Sequence, residues 1–258
     1  MIVDTHAHIY HGDEEKYPMK DEPFRPVSGV GTIEHLRQET KENGVERVVL
    51  VQTGSAYRWD NRLLADTARD NAAWTVGVCT LNPAEDGSPN ELERLVTGYN
   101  VKGVRIEVGP KGYDQPGAEA LWRRAGEVEA VICAHLQRDY MGELAALLAR
   151  FPHVPVVLDH CAYPKAADGL ADEAVCQTIA LARYEQLVAK LTFGVTSSER
   201  DYPFADTHAQ LREILAAYGP ERCIWGSDFP CEHWLKKSTY AQHLVVFVEE
   251  LGLGAEEK

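Results

Sequence analysis

Short runs of apolar and β-branched residues alternate along the chain with longer segments whose apolar positions recur at helical spacing. This alternation is typical of βα units wound into a parallel sheet. The runs predict eight strands, over residues 2–8, 46–52, 74–80, 101–107, 130–136, 154–160, 187–193 and 222–228. Each interval between strand starts is long enough to hold a crossover helix.

Capping residues in these intervals predict where helices begin and end. Thr32 is placed to cap a helix that stops at Asn43, and Asp60 is placed to cap one that runs to about Asn71. Asp206 is placed to cap a helix over 208–218. Further helical patterns cover residues 142–150, 172–186 and 239–251.

Eight strands favour a closed barrel over an open doubly wound sheet. No G-x-G-x-x-G fingerprint follows the first strand, and no phosphate-binding G-x-x-x-x-G-K-[ST] occurs in the chain. The length of 258 residues is close to the roughly 250 typical of one such barrel. We therefore expect an α/β fold, a (β/α)₈ TIM barrel formed by a single domain over residues 1–258.

Two segments depart from a regular barrel. The connection 10–31 after the first strand is long and rich in proline, charge and aromatic residues, and long connections of this kind often act as lids. The last residues, 254–258, read as the start of another helix. The sequence therefore favours either a shortened C-terminus or an unusual last helix.

Composition narrows the class of protein. With 45% hydrophobic and 26% charged residues the chain is typical of a globular protein, and a net charge of −14 disfavours nucleic acids and anionic membrane surfaces as partners. No apolar run is long enough to cross a bilayer, and no signal-like segment opens the chain. The six cysteines form no C-x-x-C pair, so we expect free thiols and a cytoplasmic location.

Polar residues that bind metals stand where several of the predicted strands end. Residues two apart on a strand project to the same side, so His6 and His8, with Asp4 below them, are expected to face the barrel axis together. The H-x-H pattern alone is too short to identify a site. Its weight comes from the residues that end other strands, namely Arg105 and Glu107 on strand 4, His135 on strand 5, His160 on strand 6 and Asp228 on strand 8.

Imidazoles and one carboxylate around an open position suit Zn²⁺ or a similar divalent ion. Not every histidine belongs to this set. His35, His208 and His243 lie in amphipathic helical patterns and are expected to be solvated, whereas His233 follows strand 8 and is a candidate for the pocket mouth.

The ordered combination of these strand-end residues resembles the amidohydrolase superfamily. The resemblance rests on His6-Ala7-His8, His135, His160 and Asp228, and it spans nearly the whole chain. The segments 156–160 (Val-Val-Leu-Asp-His) and 223–230 (Cys-Ile-Trp-Gly-Ser-Asp-Phe-Pro) are similar to the amidohydrolase-2 branch, which includes 2-pyrone-4,6-dicarboxylate lactonase, sugar-lactone hydrolases and a zinc-dependent decarboxylase. Gly103-Val104-Arg105 is similar to the lactonases, in which the arginine holds an acidic or carbonyl group of the substrate.

The resemblance implies a set of roles. A metal would be held by His6, His8, His135 and Asp228, and Asp228 with His160 would act as catalytic residues. Arg105, Glu107, Tyr163 and His233 are the candidates for binding substrate. Arg105 occupies the pocket-facing row of strand 4 and Lys102 the opposite one, so a single metal is favoured over two, and Glu107 is the residue that could still reach the site. The resemblance implies one divalent ion, with Zn²⁺ favoured, and it also allows a site without metal, since some lactonases of this branch work without one.

These roles predict hydrolysis of a small lactone that carries carboxylate or hydroxyl groups. Asp228 would take the proton of the attacking water while the metal, or the histidines themselves, polarise the carbonyl. A metal-dependent decarboxylase of an unsaturated carboxylic acid is an alternative with the same ligands. A barrel that only binds metal or ligand is a second alternative, and a homo-oligomer is compatible with the sequence.

Overall fold

The computed structural model describes residues 1–234 and 237–258, apart from the Trp234 side chain. Eight strands form one sheet in which each strand pairs in parallel with the next, in chain order. They are β1 Ile2–Ala7, β2 Val45–Val51, β3 Thr75–Thr80, β4 Val101–Glu107, β5 Val131–His135, β6 Val156–Leu158, β7 Leu187–Lys190 and β8 Cys223–Ile224. The predicted order of eight parallel strands is confirmed.

The sheet closes between its last and first strands. The Thr5 amide donates to Trp225 O at 3.2 Å, and the His8 amide donates to Phe229 O at 2.8 Å. Gly226 permits this approach, because a Cβ atom there would lie 2.6 Å from the Cβ of His6. The chain is therefore a (β/α)₈ TIM barrel, and closure sets the end of β1 beside the segment after β8.

Helices connect the strands and cover the outside of the barrel. They are α1 Ile33–Glu42, α2 Arg62–Asp70, α3 Ser88–Gly98, α4 Pro116–Glu127, α5 Met141–Arg150, α6 Glu173–Leu181, α7 Phe193–Thr196, α8 His208–Tyr218, α9 Cys231–Trp234 and α10 Tyr240–Val245. Among the described residues, no helix combines the length and the apolar character needed to cross a membrane.

The predicted caps are confirmed in part. Thr32 accepts from the His35 amide as the N-cap of α1. Asp60 is not a cap, because α2 begins one residue later behind Asn61. Asp206 likewise accepts from Ser198 Oγ and the Glu199 amide in the preceding loop rather than capping α8.

The expectation that His243 is solvated is wrong. This residue lies on the face of α10 that packs against the barrel, where its side chain is fully buried and its Nδ1 accepts from Trp225 Nε1 at 3.2 Å. Burial lowers the pKa of His243 to about 4. The helical pattern of residues 239–251 does not show which polar position faces inward.

Strands 6 and 8 are shorter than the sequence predicts. β6 ends at Leu158 and β8 at Ile224, whereas the apolar runs extend to residues 160 and 228. Beyond β6 the backbone adopts left-handed φ values at His160 (51°) and Tyr163 (61°), and Asp228 has a φ of 55°. The chain thus leaves the strand geometry at the residues that the sequence singled out for chemistry.

Candidate active site

A cavity of about 310 Å³ opens at the carboxyl ends of the strands. This is the end of the barrel where catalytic groups collect in this fold. The cavity is lined by His8, Gly54, Ser55, Arg105, Glu107, His135, His160, Tyr163, Thr196 and Asp228. Seven of the predicted site residues, all except His6 and His233, therefore line one pocket, and its volume suits a small molecule.

One side of the pocket, here called the β1–β8 wall, consists of His6, His8 and Asp228. The Nε2 atoms of the two histidines lie 3.2 Å apart. Asp228 Oδ1 lies 3.5 Å from His6 Nε2 and 3.6 Å from His8 Nε2. Three potential ligand atoms therefore converge on one point.

The β1–β8 wall rests on a buried carboxylate beneath it. Asp4 accepts hydrogen bonds from the amides of His6 (3.0 Å) and Ser227 (2.9 Å) and from the hydroxyls of Ser227 (2.6 Å) and Tyr240 (2.9 Å). Burial raises the pKa of this carboxyl group, and the four donors oppose the rise. Because Asp4 joins the backbone of β1 to that of residue 227, it fixes the position of His6 relative to Asp228.

The spacing of the three ligand atoms fits a divalent metal. Zinc bonds to histidine and carboxylate are about 2.0–2.2 Å long, and tetrahedral ligand atoms are then about 3.3–3.6 Å apart. The measured separations are 3.2, 3.5 and 3.6 Å. His8 also has the outer partner usual for a metal-binding histidine, since its Nδ1 lies 2.9 Å from Val51 O. The donor set of His6, His8 and Asp228 is thus compatible with one ion such as Zn²⁺.

Electrostatics keep the Asp228 carboxylate ionised and the His6 and His160 imidazoles neutral. Burial raises the pKa of Asp228, but the nearby His8 and His160 side chains outweigh it and leave the pKa below its ordinary value. Burial and the nearby Lys190 lower the pKa of His6. Burial lowers the pKa of His160 to about 3. Asp228 is therefore ionised at neutral pH, and each of the two imidazoles carries one proton and one lone pair.

The opposite side, here called the β4–β6 wall, consists of Arg105, Glu107, His135, His160 and Tyr163. His135 Nε2 lies 2.5 Å from the Tyr163 hydroxyl, and its Nδ1 lies 3.6 Å from Glu107 Oε1. A hydrogen bond with His135 lowers the pKa of Glu107. In this conformation both ring nitrogens of His135 face protein groups, and among the described residues the group of converging ligand atoms contains only His6, His8 and Asp228.

Arg105 is the cation of the β4–β6 wall. It is buried at the pocket edge, with its Nε donating to Asp159 Oδ2 at 2.8 Å and its Nη2 3.5 Å from His160 Nε2. Lys102, on the opposite row of β4, is exposed, as the alternation along the strand predicts. The guanidinium thus has one edge committed to Asp159 and lines the pocket.

A left-handed turn sets the aromatic part of this wall. Residues 160–163 all have φ between 48° and 61°, a region that costs a non-glycine residue about 1–2 kcal/mol. The turn stacks the ring of Tyr163 on that of His160, with centroids 4.9 Å apart and planes 22° apart. Four strained residues in a row at a pocket mark a turn whose geometry the surrounding contacts enforce.

His233 is not among the residues that line the pocket. Its ring stacks on Phe24 of the long loop after β1, with centroids 4.2 Å apart, and contacts Tyr10 edge to face. It therefore contacts residues of the segment after β1 rather than either wall of the pocket.

Sequence reasoning missed two buried charged residues, Asp159 and Lys190. Asp159 Oδ1 accepts from Lys190 Nζ at 2.7 Å, and the same Nζ lies 3.0 Å from His6 Nδ1. Both had a signal in the sequence, because a lysine inside the apolar run Leu-Val-Ala-Lys-Leu and an aspartate after Val-Val-Leu are costly to bury without partners.

Known proteins resemble the chain over most of its length. The family model described as Amidohydrolase matches residues 3–258. 4-Sulfomuconolactone hydrolase of Rhizobium radiobacter is 26% identical over 88% of this chain and 75% of its own length. L-Fucono-1,5-lactonase of Burkholderia ambifaria is 25% identical over 73% of this chain and 66% of its own length.

Solved structures share the fold. A structure from Pseudomonas putida, described as a candidate 2-pyrone-4,6-dicarboxylic acid hydrolase, superimposes with a TM-score of 0.82 at 22% identity and covers 99% of this chain and 92% of its own. An amidohydrolase of Burkholderia multivorans with bound zinc has a TM-score of 0.79 at 20% identity and covers 100% and 94% of the two chains. Because the family match spans nearly the entire barrel and its strand-end residues, the chain belongs to the amidohydrolase family.

Proposed function

We propose that this protein is a hydrolase that opens a small lactone bearing carboxylate or hydroxyl groups. The observation that carries the proposal is the ionised Asp228 carboxylate, held 3.5–3.6 Å from two histidine nitrogens and facing a cavity that Arg105 also lines. A base, a polarising group and a cationic anchor around one small cavity are the parts that attack on a cyclic ester requires. The similarity to two relatives named as lactone-opening enzymes supports this class of substrate.

Asp228 is the general base of the proposed reaction. A carboxylate has two oxygens, so Oδ1 can stay with the histidines while Oδ2 accepts the proton of the attacking water. The low pKa of Asp228 keeps it in the required ionised form across neutral pH.

His160 serves the oxygen of the scissile bond. Its pKa of about 3 makes it a neutral imidazole, and its proposed role is to stabilise the developing oxyanion or to shuttle the proton, which requires Nε2 to leave its contact with Arg105 Nη2. The strained turn 160–163 and the stacked Tyr163 hold the ring in place.

His6, His8 and Asp228 would hold one divalent ion, for which we propose Zn²⁺. The ion supplies Lewis-acid polarisation of the lactone carbonyl when bound. The zinc in the related barrel from Burkholderia multivorans supports this assignment. His135 remains a proposed fourth ligand, and joining the set would require its ring to turn away from Tyr163.

Arg105 is the proposed anchor for an acidic or carbonyl group of the substrate. Its forked guanidinium matches a carboxylate, and Asp159 fixes its Nε edge. Glu107 and Tyr163 line the same side of the cavity and are proposed to contact substrate hydroxyl groups. As parts of this proposal we also infer that the partner is a small-molecule substrate, with no nucleic acid or membrane partner, and that the protein is cytoplasmic; the proposal is compatible with a homo-oligomer.

A lactone panel tests the function. Protein purified without chelator is analysed for metal by mass spectrometry and then assayed against neutral, hydroxylated and acidic lactones by pH indicator and product NMR. We expect ring opening of at least one acidic or hydroxylated lactone, loss of rate after chelator dialysis and recovery with Zn²⁺. Release of CO₂ from unsaturated carboxylic acids, with every lactone left intact, would replace the proposal with a decarboxylase, and binding without turnover would replace it with a non-catalytic barrel.

A further inference from the structure

Lys190 is a buried lysine at the end of β7 with only 1% of its surface exposed. Its Nζ lies 2.7 Å from Asp159 Oδ1 and 3.0 Å from His6 Nδ1. An ammonium group has three donors and no acceptor. His6 Nδ1 must therefore accept from Lys190, which leaves the single proton of a neutral His6 ring on Nε2.

The neighbouring histidine has the opposite arrangement. His8 Nδ1 lies 2.9 Å from Val51 O, and a carbonyl oxygen only accepts, so His8 carries its proton on Nδ1 and a lone pair on Nε2. The two Nε2 atoms are 3.2 Å apart. With these tautomers His6 Nε2–H donates to His8 Nε2, and every contact in the row joins a donor to an acceptor.

Lys190 also reaches the substrate anchor. Asp159 is fully buried and uses its two oxygens separately, Oδ1 for Lys190 and Oδ2 for the Nε of Arg105. Without Lys190, Arg105 would be the remaining cationic partner of Asp159 among these contacts. The Asp159 carboxylate would then no longer be held in one orientation. One ammonium therefore connects the β1–β8 wall to the β4–β6 wall.

We propose that Lys190 is a positioning residue that fixes His6 in the Nε2–H tautomer in the metal-free protein and, through Asp159, sets the orientation of Arg105. A metal bound at His6 Nε2 would take the place of this proton, which would leave to solvent, and Nδ1 would still accept from Lys190. The tautomer is a property of the protein alone, whereas the kinetic consequence rests on the proposed lactonase function.

The tautomers are measured directly by two-bond ¹H–¹⁵N NMR of histidine-labelled protein after chelator dialysis. Spectra of His6→Gln and His8→Gln variants assign the two rings. We expect Nε2–H for His6 and Nδ1–H for His8 in the unsubstituted chain. An Nδ1–H signal for His6 in that sample would overturn the proposal without any variant of Lys190.

Lys190→Met tests the cause. In Lys190→Met we expect the His6 ring to lose its preference for the Nε2–H tautomer. Lys190→Arg should restore this preference. Lys102→Met, which removes an exposed lysine of β4, should leave the preference as it is in the unsubstituted chain. A folded Lys190→Met protein with an unaltered His6 signal would remove Lys190 from the role.

Kinetics then test the connection between the two walls. On a lactone that the unsubstituted enzyme opens, Lys190→Met is expected to lower kcat and raise KM, each by about 10-fold or more, as is usual for outer-shell partners. Arg105→Lys is the comparison and should act mainly on KM. If Lys190→Met lowers kcat and leaves KM unchanged, Lys190 does not set the orientation of Arg105 through Asp159. If neither the unsubstituted protein nor any variant opens a lactone, the proposed function fails. The NMR result still decides the tautomer of His6 in that case.

Discussion

The two walls of the pocket use the same residue types under different conditions of burial. On the β1–β8 wall the side chains of His6 and His8 are 0% and 7% exposed, whereas on the β4–β6 wall those of His135 and Glu107 are 23% and 34% exposed. The first wall has ring nitrogens fixed by a carbonyl and a buried lysine. On the second wall, solvent reaches the contact between His135 and Glu107, whereas Arg105 and His160 are buried.

We interpret this difference in burial as a division between side chains that take part in the reaction and side chains that bind the substrate. Buried groups with few alternative partners keep one geometry, which is what a reaction centre requires. Partly exposed groups can exchange a protein contact for a substrate contact at small cost. We therefore assign the proposed base and metal ligands to the β1–β8 wall, and most of the proposed substrate contacts, together with His160, to the β4–β6 wall.

The largest expected effect is a loss of kcat when a carboxylate is replaced by its amide, and we compare this change on the two walls. Asp228→Asn removes the proposed base and should lower kcat by about 10³-fold or more, while Glu107→Gln should lower it by less than about 10-fold. Asparagine tolerates the left-handed φ of 55° at residue 228, so the variant is expected to stay folded, which circular dichroism checks. Equal losses in kcat for the two variants would remove the distinction between the walls.

Much of the β1–β8 wall could be predicted from the sequence because its geometry follows from regular structure. Residues two apart on a strand face the same side, and closure of an eight-stranded barrel brings the end of β1 beside the end of β8. His6, His8 and Asp228 therefore came together without knowledge of any side-chain conformation.

The β4–β6 wall was harder to predict because its geometry is irregular. The apolar run before His160 predicts a strand, yet the backbone turns left-handed there and places Tyr163 against His135. No sequence pattern specifies four consecutive non-glycine residues at positive φ. The Lys190–Asp159 pair was missed for a related reason, since burial of charge depends on partners that lie 31 residues apart.

The next largest effect is expected in metal content, which we compare between variants of one histidine from each wall. His8→Gln removes one of the three converging ligand atoms and should weaken Zn²⁺ binding by more than the roughly 10–100-fold that loss of an outer partner costs. His135→Gln should retain the metal, because its Nε2 contacts the Tyr163 hydroxyl. Mass spectrometry after dialysis against a competing chelator provides the measurement.

Loss of metal from His135→Gln equal to that from His8→Gln would change the assignment. It would mean that His135 turns from Tyr163 to join the ligand set, as the resemblance to the superfamily implies. Tyr163→Phe would then be expected to strengthen metal binding, since it removes the competing contact.

The smallest effect concerns the layer behind the β1–β8 wall, where His243 is buried against Trp225. Its pKa is about 4 in the folded protein against 6.5 for an ordinary histidine, so below pH 6.5 the unfolded chain binds a proton that the folded chain does not. The contribution of His243 to the free energy of unfolding is therefore at its full value above pH 6.5. It falls by about 1.4 kcal/mol per pH unit as the pH drops toward 4.

Urea unfolding between pH 6.5 and 4.5 measures this slope. The unsubstituted chain should lose stability more steeply than one histidine allows, because burial also lowers the pKa values of His6, His135 and His160. His243→Gln should reduce the slope by about 1.4 kcal/mol per pH unit, and His153→Gln, at an exposed position, serves as the matched control. An unchanged slope in His243→Gln would mean that His243 binds a proton in the folded protein. The difference in burial between the two walls would then not extend to the residues behind the β1–β8 wall.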